Sequence, residues 1–82
     1  MKAARGGYAA QVGAFRQKSQ ARTHLAMINR RYGSILSDGT AEIGGLERGF
    51  YRVRFTGMTQ DEARDACKAL RTRSQPCIVT PN

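Results

Sequence analysis

Tryptophan is missing from this chain, and three Phe and three Tyr are all the aromatic rings it has. A surface that works by stacking several bases in a row is hard to build from so few. Histidine occurs once and cysteine twice. That is too few for a zinc set, and the Cys spacing matches no zinc motif. Neither a metal nor any other cofactor is expected. His24 has no oriented nucleophile beside it and reads as a residue on the surface or flank of the first helix. Asp61, Glu62 and Asp65 crowd one helix start, where they suit the helix dipole and do not make a glycosidase pair. GGLERG lacks the spacing of a phosphate loop. The chain therefore reads as a binding protein and not as an enzyme.

Long apolar runs are missing too, and nothing approaches the roughly 20 residues that a membrane-spanning helix needs. The opening MKAARGG is basic but has no apolar stretch behind it, so it does not read as a signal peptide. Residues 1–6 read as a linker remnant, and residues 7–82 as a single domain cut from a longer protein. Acid is the last scarcity. Six Asp and Glu against fourteen Lys and Arg leave a formal charge of +8 over 82 residues, which calls for an anionic partner. Nucleic acid, acidic lipid and acidic polysaccharide all qualify. Arg16, Lys18, Arg22, Arg30 and Arg31 lie on or near the first helix without an exposed apolar wedge, so they read as a solvated basic face and not as a membrane anchor.

What is present is a run of short elements. YAAQVGAF (Tyr8 to Phe15) reads as a strand. Ala21, Leu25, Ile28 and Tyr32 recur at helical spacing, with Ser19 as the expected N-cap and Gly33 as the stop. SIL (Ser34 to Leu36) begins a second strand and Asp38-Gly39 marks a turn; TAEIGGLERG is a hairpin arm or an extended loop. RGFYRVRF (Arg48 to Phe55) is the clearest strand, with Tyr51, Val53 and Phe55 on one face and Phe50, Arg52 and Arg54 on the other. Thr59 and Glu62 form a capping box for a helix running to about Arg73, with Ala63, Ala66, Cys67 and Leu70 as its buried stripe. PCIVTP (Pro76 to Pro81) is the last strand, with Cys77 and Val79 inward and Ile78 and Thr80 outward.

The order is β-α-β-β-α-β, an α+β fold of the ferredoxin or RNP-like kind. Each helix has one apolar stripe, so both are expected on the same face of a four-stranded antiparallel sheet. Right-handed crossovers place the first and third strands at its centre. The other face stays open, with Ala9, Gln11 and Gly13 expected outward on the first strand.

RGFYRVRF follows most of the signature of an RNA-binding module with this topology, yet Tyr51 stands where Gly or Ala belongs and Arg52 where a stacking ring belongs. Base stacking contributes about 1–3 kcal/mol per base, and one outward ring cannot supply two or three. Single-stranded RNA on an RNP-like face is thus the alternative reading. Phe50 as a flat ring, Gln11 as an amide, Arg52 and Arg54 as carboxylate forks and Ile78 as an apolar wall suit N-acetylated, carboxylate-bearing sugars better.

YAAQVGAF, GFYRVRFTGM and TQDEARDACKALRTRSQPCIVTP together resemble a SPOR domain, the sporulation-related repeat, across Tyr8 to Pro81. Tyr8, Gln11, Gly13, Ala14 and Phe15 match that family's first-strand pattern. Phe50, Arg52, Val53 and Gly57 match its third. The resemblance implies a non-catalytic module that binds peptidoglycan glycan strands stripped of stem peptides. It also implies a location in the periplasm or cell envelope of a bacterium, where the module brings an attached protein to the cell wall or division septum. It assigns glycan contacts to Gln11, Ala14, Phe50, Arg52 and Ile78, with Arg54 beside them, and implies a monomeric domain with no nucleic-acid partner. Ala14 stands where many members carry Ser, and Phe50 where Trp is more usual.

Cys67 falls on the inner stripe of the second helix and Cys77 on the inward side of the strand after it. A disulfide and a pair of buried thiols both fit these positions. Export, which the resemblance implies, favours the bridge. The pairing within ACKALRTRSQPCIV is also similar to that of SPOR domains at the C-termini of alphaproteobacterial D-alanyl-D-alanine carboxypeptidases.

Overall fold

The computed structural model describes residues 6–82. Its elements are β1 (Tyr8–Phe15), α1 (Lys18–Tyr32), β2 (Thr40–Ile43), β3 (Tyr51–Met58), α2 (Gln60–Arg71) and β4 (Ile78–Pro81). The strands form one antiparallel sheet in the order β2-β3-β1-β4, with β1 and β3 central as expected. The stretch expected to be a linker lies outside the described residues except for Gly6, whose carbonyl accepts a hydrogen bond from Asn82 Nδ2 at 2.9 Å.

α2 is set by its own sequence. Thr59 Oγ1 accepts from the Glu62 amide at 3.1 Å, and Glu62 Oε1 accepts from the Thr59 amide at 2.9 Å. These reciprocal bonds satisfy amides that have no partner within the helix. α2 ends at Arg71 and not Arg73, because Ser74 turns into the left-handed region at φ 62°. The Gln75 amide then returns to the Leu70 carbonyl at 2.9 Å. α1 begins earlier than its side chains suggest. Gln17, not Ser19, is the N-cap, and it caps without a side-chain bond. Phe15 is still packed against the core, so only two residues, Arg16 and Gln17, separate β1 from the helix.

Other expectations shift as well. Ser34–Leu36 is not a strand but tightly wound chain, in which the Ile35 and Leu36 amides both bond the Tyr32 carbonyl, at 3.0 and 3.2 Å. Arg48 and Gly49 belong to a turn rather than to β3. Both have positive φ, 54° and 84°, and Glu47 and Phe50 exchange two backbone bonds of 3.0 Å across them. This is the two-residue hairpin geometry whose twist matches the flanking strands. β3 continues through Gly57 to Met58, and β4 starts at Ile78 rather than Pro76.

Ala21 and Ile28 of α1, and Ala63, Ala66, Cys67 and Leu70 of α2, share a single core with Ala10, Val12, Val53 and Phe55 of the central strands. Both helices therefore cover the same face of the sheet. Cys67 and Cys77 are joined in a disulfide and are buried within that core.

Candidate functional site

The opposite sheet face is built by register. Gln11 of β1 pairs with Ile78 of β4 on one side and Arg54 of β3 on the other, and Arg54 pairs with Glu42 of β2. Ile78, Gln11, Arg54 and Glu42 thus form one row straight across the sheet. Ala14 pairs with Arg52 further along. Alternation along the chain before Arg52 puts Phe50 on this side too.

Strict alternation along β1 would separate Gln11 and Ala14, since residues three apart face opposite ways. A β-bulge brings them together. Gln11 pairs with Arg54 and Gly13 with Val53, so Val12 is an extra residue opposite a single step of β3. A bulge leaves its inserted residue out of the ladder, and the freed Val12 carbonyl needs other donors. Two side chains supply them: Gln75 Nε2 and His24 Nε2, each at 3.0 Å. A carbonyl only accepts, so His24 carries its proton on Nε2.

The bulge also corrects the expected facing. Gly13 turns to the helix side, where an added Cβ would lie 2.9 Å from the Phe15 ring and 3.0 Å from the His24 ring. Only the missing side chain lets His24 come that close. Of the two places expected for His24, surface or flank, it takes the flank: it is half-buried, with its ring centroid 5.0 Å from that of Phe15. Ala14 takes the outward place that Gly13 was expected to fill. Ala9 pairs with Thr80 on the same side as Gln11, as expected, but its methyl group is fully covered there. Neither His24 nor Gln75 carried a local sequence signal, because their partner lies 12 and 63 residues away.

Gln11, Ala14, Pro76 and Ile78, with Val12, Gly13 and Cys77, line a concavity of about 180 Å³. Ile78 is one of the exposed large apolar residues, at 55%. The two β3 arginines are not bare forks. Arg52 Nη1 donates to the Glu47 carbonyl at 3.1 Å and lies 3.6 Å from Glu47 Oε1. Arg54 Nη2 donates to Glu42 Oε2 at 3.0 Å, and its Nε is buried. Phe50 is half-buried, and the Arg16 guanidinium carbon sits 5.0 Å from its ring centroid. Arg16 is thus at the end of β1 against Phe50, away from the basic helix face to which its sequence position had assigned it.

Gln75→Leu is expected to cost about 1–2 kcal/mol, since a buried carbonyl loses a donor. It should also shift the amide resonances of Gly13 and Ala14. Urea unfolding and a two-dimensional amide spectrum check this; unmoved Gly13 and Ala14 signals would mean that the clamp does not hold the bulge.

The fold is a small α+β module whose two helices cover one face of the sheet and leave the other uncovered. A family model for the SPOR domain matches residues 4–80, and the chain belongs to that family. It is a binding domain and not a catalytic one. Its fold is similar to the solution structure of the peptidoglycan binding domain of the B. subtilis cell wall lytic enzyme CwlC. The TM-score is 0.66, with 20% identity over 92% of this chain and 87% of that one. No curated protein sequence matches the chain. Among the described residues no helix is long and apolar enough to cross a membrane.

Proposed function

We propose that the open sheet face binds peptidoglycan, specifically glycan strands lacking stem peptides. As a monomeric domain in the bacterial envelope, it thereby carries an attached protein to the cell wall or division septum. The observation that carries this reading is the concavity in which Gln11, Ala14 and Ile78 converge, beside Phe50 and the β3 arginines Arg52 and Arg54. Gln11 offers both an amide donor and an acceptor to an N-acetyl group. Ile78 offers an apolar wall to the face of a sugar ring. Ala14 contributes a methyl group and no hydroxyl. A stripped glycan exposes the lactyl carboxylates of muramic acid, which fits a chain of net charge +8. Family membership and the likeness to a peptidoglycan binding domain point the same way. The RNA alternative needs two or three stacking rings. Phe50 is the ring this face has, and Arg16 lies over it.

Pull-down with stripped and intact sacculi tests the reading. Wild type should be retained better by stripped sacculi, and Gln11→Ala and Phe50→Ala should each weaken retention about fivefold to tenfold, the loss expected for one hydrogen bond or apolar contact. Undiminished binding in both variants, or equal retention by both kinds of sacculi, refutes it.

A further inference from the structure

Their guanidinium forks make Arg52 and Arg54 the expected readers of carboxylates on this face. Their surroundings argue otherwise. Arg54 is held by Glu42 Oε2 at 3.0 Å, and Arg52 by the carbonyl and carboxylate of Glu47 at 3.1 and 3.6 Å. A ligand carboxylate would have to compete at either one with a protein carboxylate that already balances its charge. Arg52 also fastens the carbonyl that opens the Glu47–Phe50 hairpin, so it positions Phe50.

Arg16 differs. It is exposed, and it follows Phe15, whose ring packs against the core, so alternation aims Arg16 to the open side. Its contact is the Phe50 ring at 5.0 Å rather than a carboxylate. A guanidinium stacked on a ring spends its flat face, and its in-plane N–H donors remain available. The same contact limits the wandering of a long side chain, which lowers the entropy cost of gripping a ligand.

We propose that Arg16, seated on Phe50, is the residue that takes a carboxylate of the bound polymer. Phe50 then serves chiefly as its platform, and Arg52 and Arg54 serve as structural ties. This rests on the proposed binding of glycan to the open face and adds which cation reads its acid group.

The experiment titrates stripped glycan chains, and the same chains with their lactyl carboxylates reduced to alcohols, into wild type, Arg16→Gln, Arg16→Lys and Arg52→Gln. Arg16→Gln should bind intact glycan about tenfold more weakly, as loss of a charge-assisted hydrogen bond implies. Arg16→Lys should recover part of that loss. On reduced glycan, wild type and Arg16→Gln should bind alike. Arg52→Gln loses the bond to the Glu47 carbonyl and should lower the melting temperature. Arg16→Gln that binds intact glycan like wild type, or that loses equally on both polymers, overturns the assignment while leaving the proposed function standing. Wild type that binds neither polymer removes the proposed function and this inference with it.

Discussion

Reducing the Cys67–Cys77 bridge is expected to lower stability by about 3 kcal/mol and the melting temperature by about 15 °C. The cysteines are 10 positions apart, and closing a loop of that size removes about this much free energy through the entropy of the unfolded chain. Domains of this size commonly have only about 5–15 kcal/mol in total. The bridge joins the buried stripe of α2 to the residue just before β4. β4 is a four-residue strand at the edge of the sheet, with few ladder bonds to hold it alone. Ile78, the apolar wall of the concavity, follows Cys77 directly. Reduction should therefore loosen the site as well as the fold, and glycan affinity should fall before the domain unfolds. Thermal melts with and without reductant, with mass measurement to confirm free thiols, decide the matter. Identical melts for the bridged and reduced protein would show that the core holds α2 and β4 together unaided.

The order of elements was legible because most of them carried a local signal. Thr59 and Glu62 announced α2, its small and apolar residues marked one stripe, and alternation in YRVRF separated Val53 and Phe55 from Arg52 and Arg54. Handedness of the crossovers then placed β1 and β3 at the centre. The site was legible in part. Gln11 and Ile78 came out on the open face, and register brings them side by side. The bulge at Val12 was not visible, because AAQVGA is too poor in large side chains to reveal where its alternation breaks. For the same reason Gly13 and Ala14 exchanged places. The ties on Arg52 and Arg54 were hidden for another cause. Their partners Glu47 and Glu42 lie in TAEIGGLERG, whose pairing is fixed by β3 and not by its own sequence. Arg48 and Gly49 look like strand because Arg is an unusual first residue for a turn that demands positive φ at both positions. Arg16 looks like part of a basic helix because charge along a sequence does not say which side of a strand end it leaves.

Leu36→Ala should cost about 3 kcal/mol, with Ile35→Ala costing about half that. Leu36 sits in the wound segment between α1 and β2, yet it is only 1% exposed and among the largest fully buried side chains. Ile35 beside it is half-buried. Truncating a buried Leu loses the transfer free energy of three carbons and adds the cost of any cavity that cannot close. Closure is restricted here. The Leu36 amide bonds the Tyr32 carbonyl at 3.2 Å, and the Leu36 carbonyl accepts from the Gly39 amide at 3.0 Å. The backbone is tied on both sides and cannot sink into the gap, which keeps the cost well inside the range of about 2–5 kcal/mol seen for such truncations. The midpoint of urea unfolding should move while its slope stays constant. Glycan affinity of the folded variant should be unchanged, because Leu36 belongs to the helix-side core and the binding face is on the other side of the sheet. A loss below about 1 kcal/mol would mean that the segment re-forms around a smaller side chain. A stable variant that binds glycan poorly would mean that the two faces of this thin sheet are coupled, most directly through β2, which follows the segment and carries Glu42 to Arg54.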